Sequence, residues 1–262
     1  MNICVLLSCM HQKDTSIVER SNVQTDVVVV NQCDINKVET FSFYNKKGKC
    51  CYVKFISTTE RGLSRSRNMA IRNCDADICL LADDDEYFCD DYEDKILSAY
   101  ERHPDAGLIA FSLIRNDLKN GKVYPKNERL ISFMQIFHTS SIQISFKRSN
   151  NIYFDELMGS GTGHGAGEEN KFMHDTRRSK IRMWYNPAVI AMVKPSPSAW
   201  FHGYDSKYFY NHGWASRRSL GGILSLIYCT YFIFKMRKMT DIPFTLLAKS
   251  ELKGWFSKRI ND

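Results

Sequence analysis

The sequence has no run of the roughly 18–20 apolar residues that a membrane-spanning helix needs. None of its 262 residues falls in a low-complexity tract, a collagen-like period or a repeat visible by eye. Its nine cysteines are an odd number and carry no zinc-finger spacing. Cys50 and Cys51 are adjacent, and Cys4 and Cys79 sit inside apolar runs. The first residues, MNICVLLSCMHQKD, lack a basic n-region, and their apolar stretch is too short for a secretory signal. Together these absences lead to the expectation of reduced thiols in a cytosolic compartment. No nucleic-acid-binding motif accompanies the basic charge, so nucleic acid is not an expected partner.

What is present is the composition of an ordinary globular protein, 44% hydrophobic and 25% charged, long enough for one sizeable core with a small appendage. The formal charge of +7 is unevenly spread. Acidic residues cluster at 83–94. The last third is basic, with Arg177, Arg178, Lys180, Arg182, Arg217, Arg218, Lys235, Arg237 and Lys238. Such a tail suits phosphates or anionic lipid.

Residues 3–7, 27–30, 51–56, 78–81 and 108–111 read as strands, several of them continuous apolar runs like those of parallel sheets covered on both faces. Helical patterns fit between them: a weak one near 14–22, a clear one at 63–74, and another at 91–102, where Tyr92, Ile96, Ala99 and Tyr100 share a face. Strands alternating with helices argue for a right-handed βαβ sheet. The alternation breaks after about residue 115. Residues 141–146 and 188–193 then look like strands, with a glycine-rich loop at 159–167 and a helix at 168–178 between them. Residues 220–234 form an apolar segment of about 15 residues with basic flanks, either a core helix or one lying in a membrane interface.

The apolar run 78–82 stops at Asp83-Asp84-Asp85, followed at once by Glu86 and Tyr87. Carboxylates packed at a strand end repel one another, and a shared hard cation such as Mg²⁺ or Mn²⁺ relieves them. A solvated acidic turn is the simpler alternative. On the 63–74 helix, Arg67 falls on the same face as Leu63, Ala70, Ile71 and Cys74. A core-facing arginine needs an anion, either a nucleotide diphosphate or a carboxylate of the acidic cluster. Ser64 is placed to cap this helix. Five glycines in residues 159–167 precede Glu168 and Glu169 at a helix start. There the pair is either a general base or ordinary acidic enrichment of a first helical turn. His202 could complete a metal octahedron or be structural. Tyr208, Tyr210, His212, Trp214, Arg217 and Arg218 could line an acceptor or phosphate groove, or be surface residues.

Taken in order, these elements resemble the family 2 glycosyltransferases of the GT-A fold from residue 3 to about 205. Residues 3–8, ending at Ser8, are similar to the family's first strand. Residues 27–34 are similar to its second strand, whose end meets base and ribose; Asn31 and Gln32 stand where the family usually shows an aspartate pair, before Asp34. Residues 60–68, with Arg61 and Arg67, resemble the glycine–Leu/Ala–Ser/Ala–x–x–Arg–Asn element. Asp83–Asp85 resembles the DXD motif, and Gly167-Glu168-Glu169 the Gly-Glu-Asp element that supplies the base. The resemblance implies an α/β fold: a Rossmann-like, mostly parallel sheet flanked by helices, with a mixed acceptor-side region and a helical C-terminal segment. The corresponding boundaries are a catalytic domain at 1–205, divided into a nucleotide-binding half, 1–115, and an acceptor half, 116–205, then a basic segment at 206–262.

The activity implied is inverting, metal-dependent transfer of a sugar from a nucleoside diphosphate, a UDP-sugar, to a saccharide or lipid-linked acceptor in bacterial polysaccharide assembly. Glu169, with Glu168 as alternate, would be the base. Ser8, Asp34, Arg61, Arg67, Asp83 and Asp84 would bind the donor. Asp85, Asp83 and His202 would hold Mn²⁺ or Mg²⁺. Residues 217–238 would touch the cytoplasmic face of the inner membrane. The alternatives are a sugar-phosphate nucleotidyltransferase, against which Ser8-Cys9-Met10-His11-Gln12 counts, and a non-catalytic membrane scaffold.

Overall fold

The structure is a computed structural model that describes residues 1–116, 122–165, 167–194 and 203–257. In chain order the strands are β1 (Ile3–Met10), β2 (Asp26–Gln32), β3 (Lys37–Tyr44), β4 (Cys50–Thr58), β5 (Ile78–Asp83), β6 (Glu86–Phe88), β7 (Ala106–Arg115), β8 (Arg129–Leu130), β9 (Ile144–Lys147) and β10 (Arg182–Val193). The helices are α1 (Ile17–Arg20), α2 (Leu63–Arg72), α3 (Tyr92–Arg102), α4 (Phe133–Ile136), α5 (Glu168–Arg178), α6 (Ser206–Leu220), α7 (Gly222–Met236) and α8 (Phe244–Phe256). The chain forms two compact units. The first takes Met1–Arg61, Arg65–Tyr153 and the stretch from Thr176 through β10; the second takes Gly62–Ser64, Phe154–Asp175 and the C-terminal helices.

The first unit is built on one sheet in the order β3-β4-β2-β1-β5-β9-β7-β10-β6, with β8 on β10. β4, β2, β1 and β5 run parallel. The apolar runs of β1, β2 and β5 are buried almost throughout, as expected for a parallel sheet covered on both faces, whereas β4 leaves Tyr52 exposed. On α3, Tyr92, Ile96, Ala99 and Tyr100 are buried as the periodicity predicts. The two tyrosine hydroxyls are satisfied there, by Thr25 Oγ1 at 2.7 Å and Ser145 Oγ at 3.1 Å.

Three elements differ from the sequence reading. Edge strand β3 pairs antiparallel with β4, but most of its residues are exposed, so it shows no buried–exposed alternation. Residues 141–146 do not form a continuous strand. Ser141–Gln143 is a 3₁₀ turn and the strand begins at Ile144. Gln143 makes the difference: its Oε1 accepts from the Ser140 backbone N–H at 3.1 Å, while its Nε2 donates to the Phe111 carbonyl at 2.7 Å. β10 begins at Arg182, before the expected 188, and its register on β7 shifts between Asn186 and Val189. Pro187 has no N–H to give the ladder, and a bulge accommodates it.

In the second unit, Asp205 caps α6 by accepting the Tyr208 N–H at 2.6 Å. α6 and α8 touch backbone to backbone. A Cβ on Gly213 would lie 2.1 Å from the Glu251 carbonyl oxygen, and one on Gly254 would lie 1.9 Å from that of Tyr210. Neither backbone can yield locally, so Gly254→Ala is expected to cost about 1–3 kcal/mol, toward the upper end. Chemical denaturation followed by tryptophan fluorescence reads this, and an unchanged midpoint would contradict the close contact. The apolar core of these helices is Phe209, Ile233, Met236 and Leu247, with Tyr208, Phe232, Ile242, Phe244, Ala248 and Leu252 packed against it. α7 is apolar yet faces outward. Ile223, Leu224, Ile227, Tyr231 and Phe234 are exposed, and only Ser225, Cys229, Ile233 and Met236 are buried. Among the described residues no helix is long and apolar enough to cross a membrane.

Candidate active site

In the first unit, β5 carries its apolar run up to Asp83, whose register partner on β1 is Ser8. Arg67 lies almost wholly buried on the core face of α2, as its position in the helical pattern predicts. Its guanidinium donates to Asp83 at 3.0 and 3.3 Å and to the Ser141 hydroxyl at 2.8 Å. Of its two candidate anions, the structure therefore gives Arg67 the strand-end carboxylate. Ser8 is buried, and its hydroxyl accepts from Ser66 at 2.9 Å, which ties α2 to β1.

Arg67→Met would leave Asp83 beside Asp84, Asp85 and Glu86 without its counter-charge. Breaking a buried ion pair costs roughly 3–5 kcal/mol, and the lower end applies because Asp83 is a third exposed. Urea unfolding is the measurement, and a loss under 1 kcal/mol would make the pair incidental.

Asp85 lies half-buried in the turn after β5, where its carbonyl accepts the Lys194 N–H at 2.8 Å. Glu86 opens β6 and is completely buried. Neither of its carboxylate oxygens has a hydrogen-bond partner. Burial, then the charges of Asp83 and Asp85, push its carboxyl well above the usual range. An orphaned buried carboxylate beside two aspartates fits a site meant for a cation. The acidic side chains do not converge by themselves into a ready three-ligand cage. That suits an ion held by one or two carboxylates and completed by phosphate oxygens.

At the end of β2, Asp34 is exposed and takes the Arg61 guanidinium at 2.6 Å. Arg61 also donates to the carbonyls of Cys33 and Thr58, at 2.8 and 3.1 Å, so it fixes the carboxyl ends of β2 and β4 together. Asn31 clasps the loop after β1. Its Oδ1 accepts the Gln12 N–H and its Nδ2 donates to the Gln12 carbonyl, both at 3.0 Å.

In the second unit, Gly159, Gly161, Gly163 and Gly167 all have positive φ. A Cβ on Gly159 would meet Ser64 Oγ at 3.2 Å and the Glu168 side chain at 3.5 Å, so glycine there is set by packing as well as by conformation. Ser64 does not cap α2; its hydroxyl donates to the Met158 carbonyl at 2.7 Å. The loop is further held by Leu63 N–H on the Ser160 carbonyl at 2.9 Å and by His164 stacked on Trp214 at 3.8 Å. Glu168 is buried at the start of α5 and Glu169 half-buried. The residues read as a possible acceptor groove turn to internal partners instead. Arg218 binds Asp155 at 2.5 and 3.0 Å, Arg217 lies over the Trp255 ring at 4.3 Å, and His212 bonds Glu251. His202 lies outside the described residues.

The Glycosyl transferase family 2 profile matches residues 15–167, more than half of the chain and the span from α1 through the acidic strand end to the glycine loop. The chain belongs to glycosyl transferase family 2. Solved structures agree on the fold. S. aureus TarS 1-349 in complex with UDP-GlcNAc superimposes with a TM-score of 0.60 at 14% identity, covering 98% of this chain and 73% of that one. The same protein with UDP gives 0.58 at 14%, covering 100% and 74%. Mannosyltransferase PcManGT from Pyrobaculum calidifontis, in complex with GDP-Man and Mn²⁺, gives 0.52 at 11%, covering 98% and 81%. No curated protein matches the sequence.

The family 2 transferase fold read from the sequence is therefore the fold found, a GT-A sheet with helices and a helical C-terminal part. Family membership also sets aside the nucleotidyltransferase and scaffold alternatives. Glu86 and the Asn31–Gln12 clasp escaped the sequence reading as site components. Glu86 carried a signal, a fourth consecutive acid after a buried strand; Asn31 carried only its place at the end of β2.

Proposed function

We propose that this transferase is inverting and metal dependent, and moves a sugar from a nucleoside diphosphate to a saccharide or lipid-linked saccharide acceptor in bacterial polysaccharide assembly. The acidic end of β5 carries the reading, with the partnerless, buried Glu86 beside Asp83 and Asp85. Asp83 and Asp85 would hold Mn²⁺ or Mg²⁺, with His202 as a further candidate ligand. When bound, the ion supplies positive charge against the leaving diphosphate. Arg67 holds Asp83 in place, and Asp84 is proposed to contact the donor. Asp34, positioned by Arg61, is proposed for the ribose or base. Ser8 acts through the β1–α2 junction. UDP is the favoured nucleotide, supported by the UDP and UDP-GlcNAc complexes of TarS.

Glu169 is the proposed base. It accepts the proton of the acceptor hydroxyl as that oxygen bonds to the anomeric carbon. The bond from that carbon to the diphosphate breaks on the opposite face, and the configuration inverts. Glu169 is favoured over Glu168 because Glu168 is packed against the glycine loop.

The test is a nucleotide-release assay with UDP-, GDP-, dTDP- and CDP-sugars in Mn²⁺, Mg²⁺ or EDTA. Release of a nucleoside diphosphate from one donor, lost in EDTA, is the expected result. Turnover that persists in EDTA would overturn metal dependence, and release of pyrophosphate would overturn sugar transfer.

A lipid-linked acceptor calls for contact with a membrane, proposed here through residues 217–238 at the cytoplasmic leaflet. Ile223, Leu224 and Ile227 are 80%, 55% and 63% exposed on α7, with Lys235, Arg237 and Lys238 at its end. Apolar side chains rimmed by cations suit an anionic interface. Wild-type protein should sediment with phosphatidylglycerol vesicles, and Ile223→Asp/Ile227→Asp should sediment at least tenfold less. Equal binding by the two proteins would remove α7 from the interface.

A further inference from the structure

We propose that His212, Cys229 and Glu251 form a structural zinc site that staples the three C-terminal helices together. Each residue comes from a different helix: α6, α7 and α8 respectively. Their ligating atoms lie within 4.8 Å of one another, the one such grouping of histidine, cysteine and carboxylate among the described residues. His212 Nδ1 stands 2.6 Å from Glu251 Oε1. Glu251 is completely buried, and its second oxygen, Oε2, has no hydrogen-bond partner. A fully buried carboxylate oxygen without a donor is costly, and a cation between it and the thiol removes that cost.

The donor set selects the ion. One nitrogen, one sulfur and one oxygen suit borderline-soft Zn²⁺, whereas Mg²⁺ and Mn²⁺ prefer oxygen alone. Zinc bonds of about 2.0–2.3 Å place tetrahedral ligand atoms roughly 3–4 Å apart, so the three groups need only a small adjustment to close on an ion. Water would take the fourth position. Cys229 must give up its proton to bind. Zinc binding would therefore release a proton, and the affinity should fall at acid pH.

The surroundings are built to hold the ligands. Phe232 stacks on the His212 ring at 3.7 Å. The backbone contact at Gly213 brings α6 against the Glu251 carbonyl itself. The need is physical as well. The apolar core is modest for three helices, four buried side chains with six partly buried ones packed against them, and small units of this kind are commonly stapled by a metal. The site takes no residue from the acidic end of β5 and is independent of the donor-site ion.

Metal analysis and cobalt substitution test this directly. Reduced wild-type protein should retain stoichiometric zinc through dialysis, and its unfolding midpoint should rise with added Zn²⁺ but not with Mg²⁺. After chelation, Co²⁺ should give the thiolate-to-cobalt charge-transfer band of a cysteine ligand. Cys229→Ser should lose that band, and Glu251→Gln should lower zinc affinity at least tenfold. A band that survives in Cys229→Ser would place the cobalt on other cysteines and overturn the proposal. Wild-type protein with neither retained zinc nor the band would reduce the trio to a His212–Glu251 hydrogen bond. If Cys229→Ser fails to fold, the wild-type zinc content and cobalt spectrum still decide.

Discussion

Asp85→Ala should lose roughly a thousandfold in turnover while keeping its fold, the size of effect seen when an electrostatic contact to developing charge is removed. The two halves of that expectation rest on different atoms. Asp85 contributes to the architecture through its backbone carbonyl, which accepts the Lys194 N–H and survives the substitution. Its carboxylate helps push the buried Glu86 carboxyl up, and removing it relieves that repulsion. The fold should therefore persist, while nucleotide release in saturating Mn²⁺ collapses. Asp83→Ala is a poorer experiment because it also strips Arg67 of its ion-pair partner. Near-normal turnover by Asp85→Ala would show that the acidic turn serves structure alone.

Glu169→Gln is expected to lower kcat by about 10²–10⁴ with little change in the donor KM, the range for loss of a positioned base. The amide keeps the shape and the hydrogen-bonding reach of the carboxylate but cannot take the acceptor proton. Glu168→Gln should cost much less in kcat. Glu168 is buried, with its side chain packed beside Gly159, so its change should register in stability first. The comparison separates the two neighbours. A larger kcat loss in Glu168→Gln would exchange their roles.

The fold was legible where local pattern and tertiary environment agree. The valine run of β2 and the apolar run of β5 are buried along their lengths, and the single face of α3 is the face that packs. β3 was illegible because an exposed edge strand has no buried face to impose a period. The 3₁₀ turn at Ser141–Gln143 was illegible because it depends on Gln143 bonding to Phe111, 32 residues away. The candidate site divides in the same manner. Three carboxylates at the end of an apolar run identify themselves, and so does an arginine on an apolar helical face. Its choice of Asp83 over a ligand does not.

By itself, then, the sequence determined the alternating sheet, the acidic strand end, the glycine loop before Glu168 and Glu169, and membership of the transferase family, because each is a property of residues close together along the chain. The tertiary structure alone decided that Arg67 reaches Asp83 and Ser141, that Glu86 is buried without a partner, that α7 turns its apolar side chains outward, and that His212, Cys229 and Glu251 meet. The reason is that charge pairing, burial and coordination are set by distance in space, and no spacing rule along the chain records which side chains of three separate helices will come together.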